Sequence, residues 1–274
     1  MKLSEIRNIL SEQEIQLTRS LGQNFMHDGN QIRKIVEAAA VCKEDAVVEI
    51  GPGLGPLTEK LLDAAGKVIA IETDRRLVSV LGKRFEAQEH FQLVHADALQ
   101  VIRKEASDWT QWKLVANMPY SVASPVLVEL AKKDTGPRWI TTTLQLEVGQ
   151  RLVAKPSSKT YGVLTLLVQL AYEPRLDFVI PRGCFFPEPK IDSACVSMER
   201  RQVSLLEKER VPVFEKIVKR GFSQRRKMML KLLKQDWDPG KLERAYSAAG
   251  IDVKVRAEAV SLDQFIVMTN TLSE

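Results

Sequence analysis

Between residues 45 and 115 the chain alternates short apolar runs with amphipathic stretches. AVVEI at 46–50, KVIAIE at 67–72, FQLVHA at 91–96 and KLVA at 113–116 are apolar runs of strand length. The segments between them, such as 57–65 and 75–85, place apolar residues three and four apart and predict helices. Strand and helix in alternation imply an α/β fold, a parallel sheet wound by right-handed crossovers. Further strands are expected at 140–145, 176–180 and 194–199. After Arg200 the β-branched runs stop, and a helical pattern takes over near Val211. There Phe214, Ile217, Val218, Met229, Leu232 and Leu233 recur at helical spacing and predict the core of a small all-α domain. Ser223 is expected to cap its second helix. These patterns divide the chain into an α/β domain at 1–200 and a C-terminal helical domain at 201–274. No internal repeat or low-complexity tract interrupts either.

Chemistry-bearing residues fall where the strands end. The first strand runs into Gly51-Pro52-Gly53-Leu54-Gly55, where glycines let the backbone turn tightly and approach a ligand. Pro56 suits the first turn of the following helix. The second strand ends in Glu72, whose carboxylate can accept from both hydroxyls of a ribose. The third ends at Asp97, which can accept from an adenine amino group. Singly, each has a plainer explanation: a β–α turn, a solvated charge, a helix cap before Ala98. Three in register on consecutive strands, at the edge where open α/β sheets bind ligands, predict a nucleoside site. The loop departs from the dinucleotide GxGxxG pattern, because Thr58 stands where a later glycine would help.

The fourth strand ends in Asn117-Met118-Pro119-Tyr120. The exocyclic amine of adenine is a poor nucleophile, since its lone pair is delocalised into the ring. Two acceptors aimed at its hydrogens would draw the nitrogen toward tetrahedral geometry and stabilise the charge that develops during alkylation. The Asn117 side-chain oxygen and the Met118 carbonyl can supply them. Pro119 fixes its own φ and biases Met118 toward extended backbone. Tyr120 can stack on a base. An Asn-x-Pro turn with a core tyrosine is the plainer alternative; the glycine loop upstream favours the site.

Composition narrows the class. The 274 residues are 45% hydrophobic and 27% charged, as in a globular protein. No apolar run approaches the roughly 20 residues of a membrane span. The N-terminus has no apolar signal core, and Glu5, Glu12 and Glu14 argue against a transit peptide, so a cytoplasmic protein is expected. Cys42, Cys184 and Cys195 lack CxxC spacing, and His27, His90 and His95 form no ligand pattern, so neither a disulfide framework nor a metal is expected. The net charge of +5 is unevenly placed. Residues 1–200 carry 25 basic and 25 acidic side chains; residues 201–274 carry 15 and 10. Within 216–234 stand eight basic residues and no acidic one. Such a stripe is the footprint of a phosphate-backbone partner, or else a solvated helix face.

Together these segments resemble the RsmA/KsgA family of ribosomal RNA adenine dimethyltransferases. The likeness rests on Gly22-Gln23-Asn24-Phe25, Val48-Glu49-Ile50-Gly51-Pro52-Gly53-Leu54, Asn117-Met118-Pro119-Tyr120 and Lys159-Thr160-Tyr161-Gly162. It continues through Pro187-Glu188-Pro189-Lys190-Ile191-Asp192-Ser193-Ala194, Gln224-Arg225-Arg226-Lys227, Gly250-Ile251-Asp252 and Arg256-Ala257-Glu258. The resemblance implies a Rossmann-like class I methyltransferase domain, with a mostly parallel seven-stranded sheet and helices on both faces. It implies S-adenosylmethionine as cofactor, and a monomer acting on 16S rRNA within the small ribosomal subunit. The target would be two adjacent adenosines in a loop near the 3′ end, dimethylated at N6. Asn24 and Met26 would line the cofactor site, Gly51 and Gly53 would form its loop, with Gly51 under the methionine part, Glu72 would bind the ribose and Asp97 the adenine. Asn117 would touch both cofactor and target amine. Tyr120 and Phe185 would sandwich the flipped base. Arg225, Arg226, Lys227 and Lys231 would grip rRNA phosphates. Two departures stand out: Met118 replaces a usual leucine, and Glu188 interrupts a run usually written as three prolines.

Two alternatives share much of this sequence logic. A large-subunit rRNA adenine methyltransferase of the antibiotic-resistance type would keep the chemistry, but segments 187–194 and 224–227 favour the small subunit. A non-catalytic RNA-binding assembly factor would have no need of Glu72, Asp97, Asn117 and Tyr120 together. A nicotinamide dehydrogenase leaves Asn117–Tyr120 without a role.

Overall fold

The computed structural model describes residues 1–15, 23–104 and 108–274. Gly22, which opens the Gly22–Phe25 segment, lies outside the described residues. Contacts divide the chain into two compact units. The first comprises Met1–Gly149 and Pro174–Arg200; the second comprises Gln150–Glu173 and Arg201–Glu274.

The first unit begins with α1 (Leu3–Glu12), β1 (Phe25–Met26) and α2 (Gly29–Ala38), the last capped by the Asp28 carboxylate on the Asn30 and Gln31 amides. Then come β2 (Ala46–Ile50), α3 (Pro56–Ala64), β3 (Lys67–Glu72), α4 (Arg75–Arg84) and β4 (Phe91–His95). Next are α5 (Ala98–Lys104), β5 (Lys113–Asn117), α6 (Tyr120–Lys132) and β6 (Trp139–Gln145). These are the elements the hydrophobic period predicts, to within a residue or two where it predicts them. After α7 (Leu146–Leu152) and α8 (Val163–Gln169), the chain returns through β7 (Tyr172–Ile180), β8 (Phe185–Phe186) and β9 (Ser193–Arg200). The seven long strands form one sheet in the order β4-β3-β2-β5-β6-β9-β7. Pairing is parallel from β4 to β6 and antiparallel between β6 and β9. The sheet is therefore mostly parallel and seven-stranded, as the resemblance implies. Parallel strands are buried on both faces, and Val47, Val48, Val68, Leu114 and Val115 are fully buried.

Two small features of this unit were not visible in the sequence. β1 and β8 pair antiparallel, Phe25 with Phe186 and Met26 with Phe185. α1 buries Ile6 and Leu10 in a cluster with Phe25, Leu54 and Leu77. β1 and β8, of two residues each, are too short to carry a period.

The second unit is built on α9 (Val211–Gly221), α10 (Met229–Leu233), α11 (Pro239–Ala248) and α12 (Leu262–Leu272). Phe214, Ile217, Val218, Met229 and Leu233 are fully buried and Leu232 nearly so, and the Phe214 ring meets Phe265 edge-on at 6.5 Å. Ser223 caps nothing at the start of α10; its hydroxyl turns back to the Arg220 carbonyl at 2.7 Å. Residues 150–173, placed by the sequence with the first domain, pack instead with this unit. The Tyr161 hydroxyl donates to the Val260 carbonyl at 2.8 Å, and the Ser157 amide to the Glu258 carbonyl at 2.7 Å. Such links join residues about 100 apart in the chain, beyond the reach of any local pattern.

Candidate active site

The carboxyl ends of the parallel strands surround a cavity of about 210 Å³. Asn24, Met26, Gly51, Gly53, Glu72, Asp97, Asn117, Met118, Pro119 and Tyr120 all line it. The sequence assigned them from five separate segments, and the fold brings them to one place.

The glycine loop fits its surroundings closely. Gly51 and Gly53 both have positive φ, +67° and +63°. A Cβ on Gly51 would lie 2.9 Å from Cδ of Pro119, and one on Gly53 would lie 2.9 Å from the Phe25 ring. Both positions therefore exclude any side chain, on backbone and on contact grounds. Glu72 is 5% exposed and fixed by main-chain donors. The amides of Thr73 and Asp74 each donate to its Oε1 at 2.9 Å, and that of Gly53 to its Oε2 at 3.3 Å. Burial pushes its pKa upward, opposed by those three amides. Asp97 is exposed and does cap α5, accepting from the Leu99 amide at 2.8 Å with Oδ1. Cap and cavity wall are compatible, because a carboxylate has a second oxygen.

Glu49, one residue before the end of β2, lines the same cavity and is 1% exposed. It accepts from the Thr58 hydroxyl at 2.6 Å. Burial raises its pKa to about 8, with the nearby Glu72 charge adding to the effect. The sequence held a signal for it: a carboxyl inside the otherwise apolar strand AVVEI. Thr58 then has a structural role as its partner. Glu49, Glu72 and Asp97 give the lining three acids, and among the described residues it contains no lysine or arginine. Such a wall suits a cationic small molecule better than a pyrophosphate.

Asn117 is held at both ends of its amide. Nδ2 donates to the Asn24 carbonyl at 3.2 Å, and Oδ1 accepts from the Thr143 hydroxyl on β6. Met118 is 1% exposed, so the departure from leucine fills apolar space. Pro119 sits just before α6, and Tyr120 begins it. The Tyr120 hydroxyl shares a hydrogen bond with Ser193 Oγ on β9 at 2.6 Å. Burial raises the Tyr120 pKa, so it stays a neutral phenol.

Phe185 is the predicted residue that the fold does not bring to the cavity. It is 3% exposed and lies in the sheet core with Met26, Ile180 and Cys184. Neighbouring side chains of a strand turn to opposite sides, so Phe186 instead joins the α1 cluster, with the Arg7 guanidinium 5.3 Å from its ring centre. Stacking on a base would require Phe185 to leave its core packing. Glu188 pairs with Arg182 at 2.8 Å, both more than half exposed, a contact worth little in stability. The following Asp192 ties the loop down by accepting the Arg182 amide at 3.0 Å.

In the second unit, Arg225, Arg226, Lys227 and Lys231 are all exposed, while Met229, Leu232 and Leu233 are buried and Met228 and Leu230 half-buried. Arg225 also has structural partners, the Lys159 carbonyl at 3.1 Å and Glu258 at 3.2 Å. Upstream, Lys216 and Arg220 both pair with Asp236, and Lys219 with Glu215. Half of the stripe is thus neutralised locally, and the exposed positive charge concentrates at Arg226, Lys227, Lys231 and Lys234. Among the described residues no group of acids, histidines and cysteines could hold a metal, and no helix is long and apolar enough to cross a membrane.

Comparison with known proteins bears on the whole chain. A family model described as ribosomal RNA adenine dimethylase matches residues 15–274. A ribosomal RNA small subunit methyltransferase A from Clostridium perfringens (strain SM101 / Type A) is 38% identical, covering 100% of this chain and 99% of its own. The protein of that name from Geobacillus thermodenitrificans (strain NG80-2) is 37% identical, covering 97% and 94%. Among solved structures, the 23S rRNA methyltransferase ErmE superposes with a TM-score of 0.70 at 25% identity, covering 91% and 100%. A dimethyladenosine transferase from Plasmodium falciparum superposes at 0.74 with 24% identity, covering 89% and 95%, a likeness of fold.

Proposed function

The chain belongs to the ribosomal RNA adenine dimethylase family, and on that premise we propose that it dimethylates N6 of two adjacent adenosines near the 3′ end of 16S rRNA. The substrate is the small ribosomal subunit during its biogenesis, the methyl donor is S-adenosylmethionine, and the enzyme works as a cytoplasmic monomer. The observation that carries this reading is the meeting of an acid-walled cavity with Asn117–Tyr120 at one sheet edge. The donor has a cationic sulfonium, an ammonium and an adenosine, and the three carboxyl groups of the wall match those features.

When bound, S-adenosylmethionine supplies a methyl group on a sulfonium sulfur, which accepts the C–S electron pair as the methyl leaves. Glu72 holds the ribose hydroxyls, its carboxylate already oriented by three amides. Asp97 meets the adenine amino group with the oxygen that α5 does not use. Glu49 faces the charged methionine end, where a neighbouring cation favours its ionised form. Asn117 Oδ1 and the Met118 carbonyl accept from the target amine and stabilise the positive charge that develops on N6. Tyr120 stacks on the base once it has left its neighbours, a step that costs a few kcal/mol and less in a hairpin loop. No strong general base is needed, because the alkylated ammonium loses its proton readily to water. Arg226, Lys227 and Lys231 hold the RNA backbone.

Mass spectrometry of rRNA from immature small subunits, incubated with the protein and S-adenosylmethionine, tests the reading. N6,N6-dimethyladenine at adjacent positions near the 16S 3′ end is expected. Dimethyladenine on the large subunit alone would reassign the substrate, and no methylated adenine on either would reduce the protein to an RNA-binding factor.

A further inference from the structure

We infer that Thr143 is a positioning residue for methyl transfer, fixing through its hydroxyl the direction in which Asn117 presents its oxygen. The inference rests on the proposed role of Asn117 and adds a residue that neither the motif nor the resemblance marks.

Thr143 lies in β6 directly beside Asn117 of β5 in the parallel register. It is fully buried. A buried hydroxyl without a partner is costly, and this one donates to Asn117 Oδ1. The direction of that bond follows from the other end of the amide. The Asn24 carbonyl can only accept, so the Asn117 nitrogen must face it. The oxygen then faces Thr143, whose single hydrogen must point to it. A carbonyl oxygen has two lone pairs, so the second remains for the target amine.

An asparagine amide rotates over a broad range about its last torsion. A bond at the nitrogen alone would anchor one end and let the oxygen swing. With both ends held, the oxygen keeps one direction before substrate arrives, and orientation of this kind is where such catalysis gains rate. The neighbouring threonines are occupied elsewhere: Thr141 bonds Ser197 at 3.1 Å, and Thr142 reaches the Thr143 carbonyl at 3.3 Å. Strand propensity and core volume would be served equally by valine, so the hydroxyl is the feature that needs an explanation.

Thr143→Val removes the donor at nearly constant shape, and Thr143→Ser restores it. Steady-state methyl transfer to immature small subunits by the full-length protein separates the possibilities. The valine variant should lose about tenfold in kcat, the scale of one oriented hydrogen bond, with the KM for S-adenosylmethionine and the melting temperature near those of the parent. The serine variant should recover most of that rate. A kcat for Thr143→Val within about twofold of the parent would overturn the inference, as would equal losses in the valine and serine variants. A parent protein unable to methylate adenine would instead overturn the reading of the site itself.

Discussion

The cavity of the sheet unit and the exposed face of the helical unit use charge in opposite ways. The cavity wall has three acids and no base among its described residues, two of the acids almost fully buried. Arg226, Lys227 and Lys231 are basic and exposed. Buried carboxyl groups act on a partner a few ångströms away, where desolvation strengthens each contact and geometry decides the outcome. Exposed cations act on a polyanion through screened, additive contacts that tolerate displacement. The first arrangement suits a small cationic cofactor and a reacting amine, and the second suits an RNA backbone.

Three variants test that contrast. The largest effect is expected from Asn117→Ala, which removes an acceptor at the reacting nitrogen and should lower kcat by about 10²- to 10³-fold. Turnover with tritiated cofactor measures it, and near-parental turnover would place the chemistry elsewhere. A smaller effect is expected from replacing Arg226, Lys227 and Lys231 together by alanine. The KM for small subunits should rise about tenfold at moderate salt, with kcat kept. The slope of log affinity against log salt should flatten by roughly 0.7–0.9 per lost phosphate contact. An unchanged slope would show that these side chains face only water.

The smallest effect concerns Glu49 and pH. Its folded pKa of about 8 exceeds its ordinary 4.5, so the folded chain keeps a proton that the unfolded chain releases. The stability contributed by that proton is complete below pH 4.5, erodes as pH rises, and is gone above about 8. Glu49→Gln stays neutral throughout. Its melting temperature, measured without ligand, should therefore gain on the parent's between pH 5 and 8. A difference that stays constant with pH would mean that the carboxyl is not shielded as its burial implies.

The sequence displays the part of this molecule that local rules build. The strands of the sheet are visible because buried parallel strands are written as short unbroken apolar runs. Gly51 and Gly53 are visible because their backbone admits no other residue, and Asn117–Tyr120 because few other roles need that order of groups. Residues set by distant contacts are not visible. Thr143 reads as one more β-branched residue in a run of three threonines, until the register sets it beside Asn117. Phe185 and Phe186 are adjacent aromatics whose opposite fates depend on β1, 160 residues earlier in the chain. The attachment of 150–173 to the helical unit depends on Tyr161 reaching Val260.

Gly51 also has a consequence for how the two halves of the site can change. Its missing side chain is what lets Pro119 close to within contact distance. The glycine loop and the Asn117–Tyr120 loop therefore meet in direct contact. A methyl group added there would strain the one loop and press on the other, so the two cannot be altered separately at this point. Variation that adapts such an enzyme to another RNA must enter from the outer rim, leaving this seam alone.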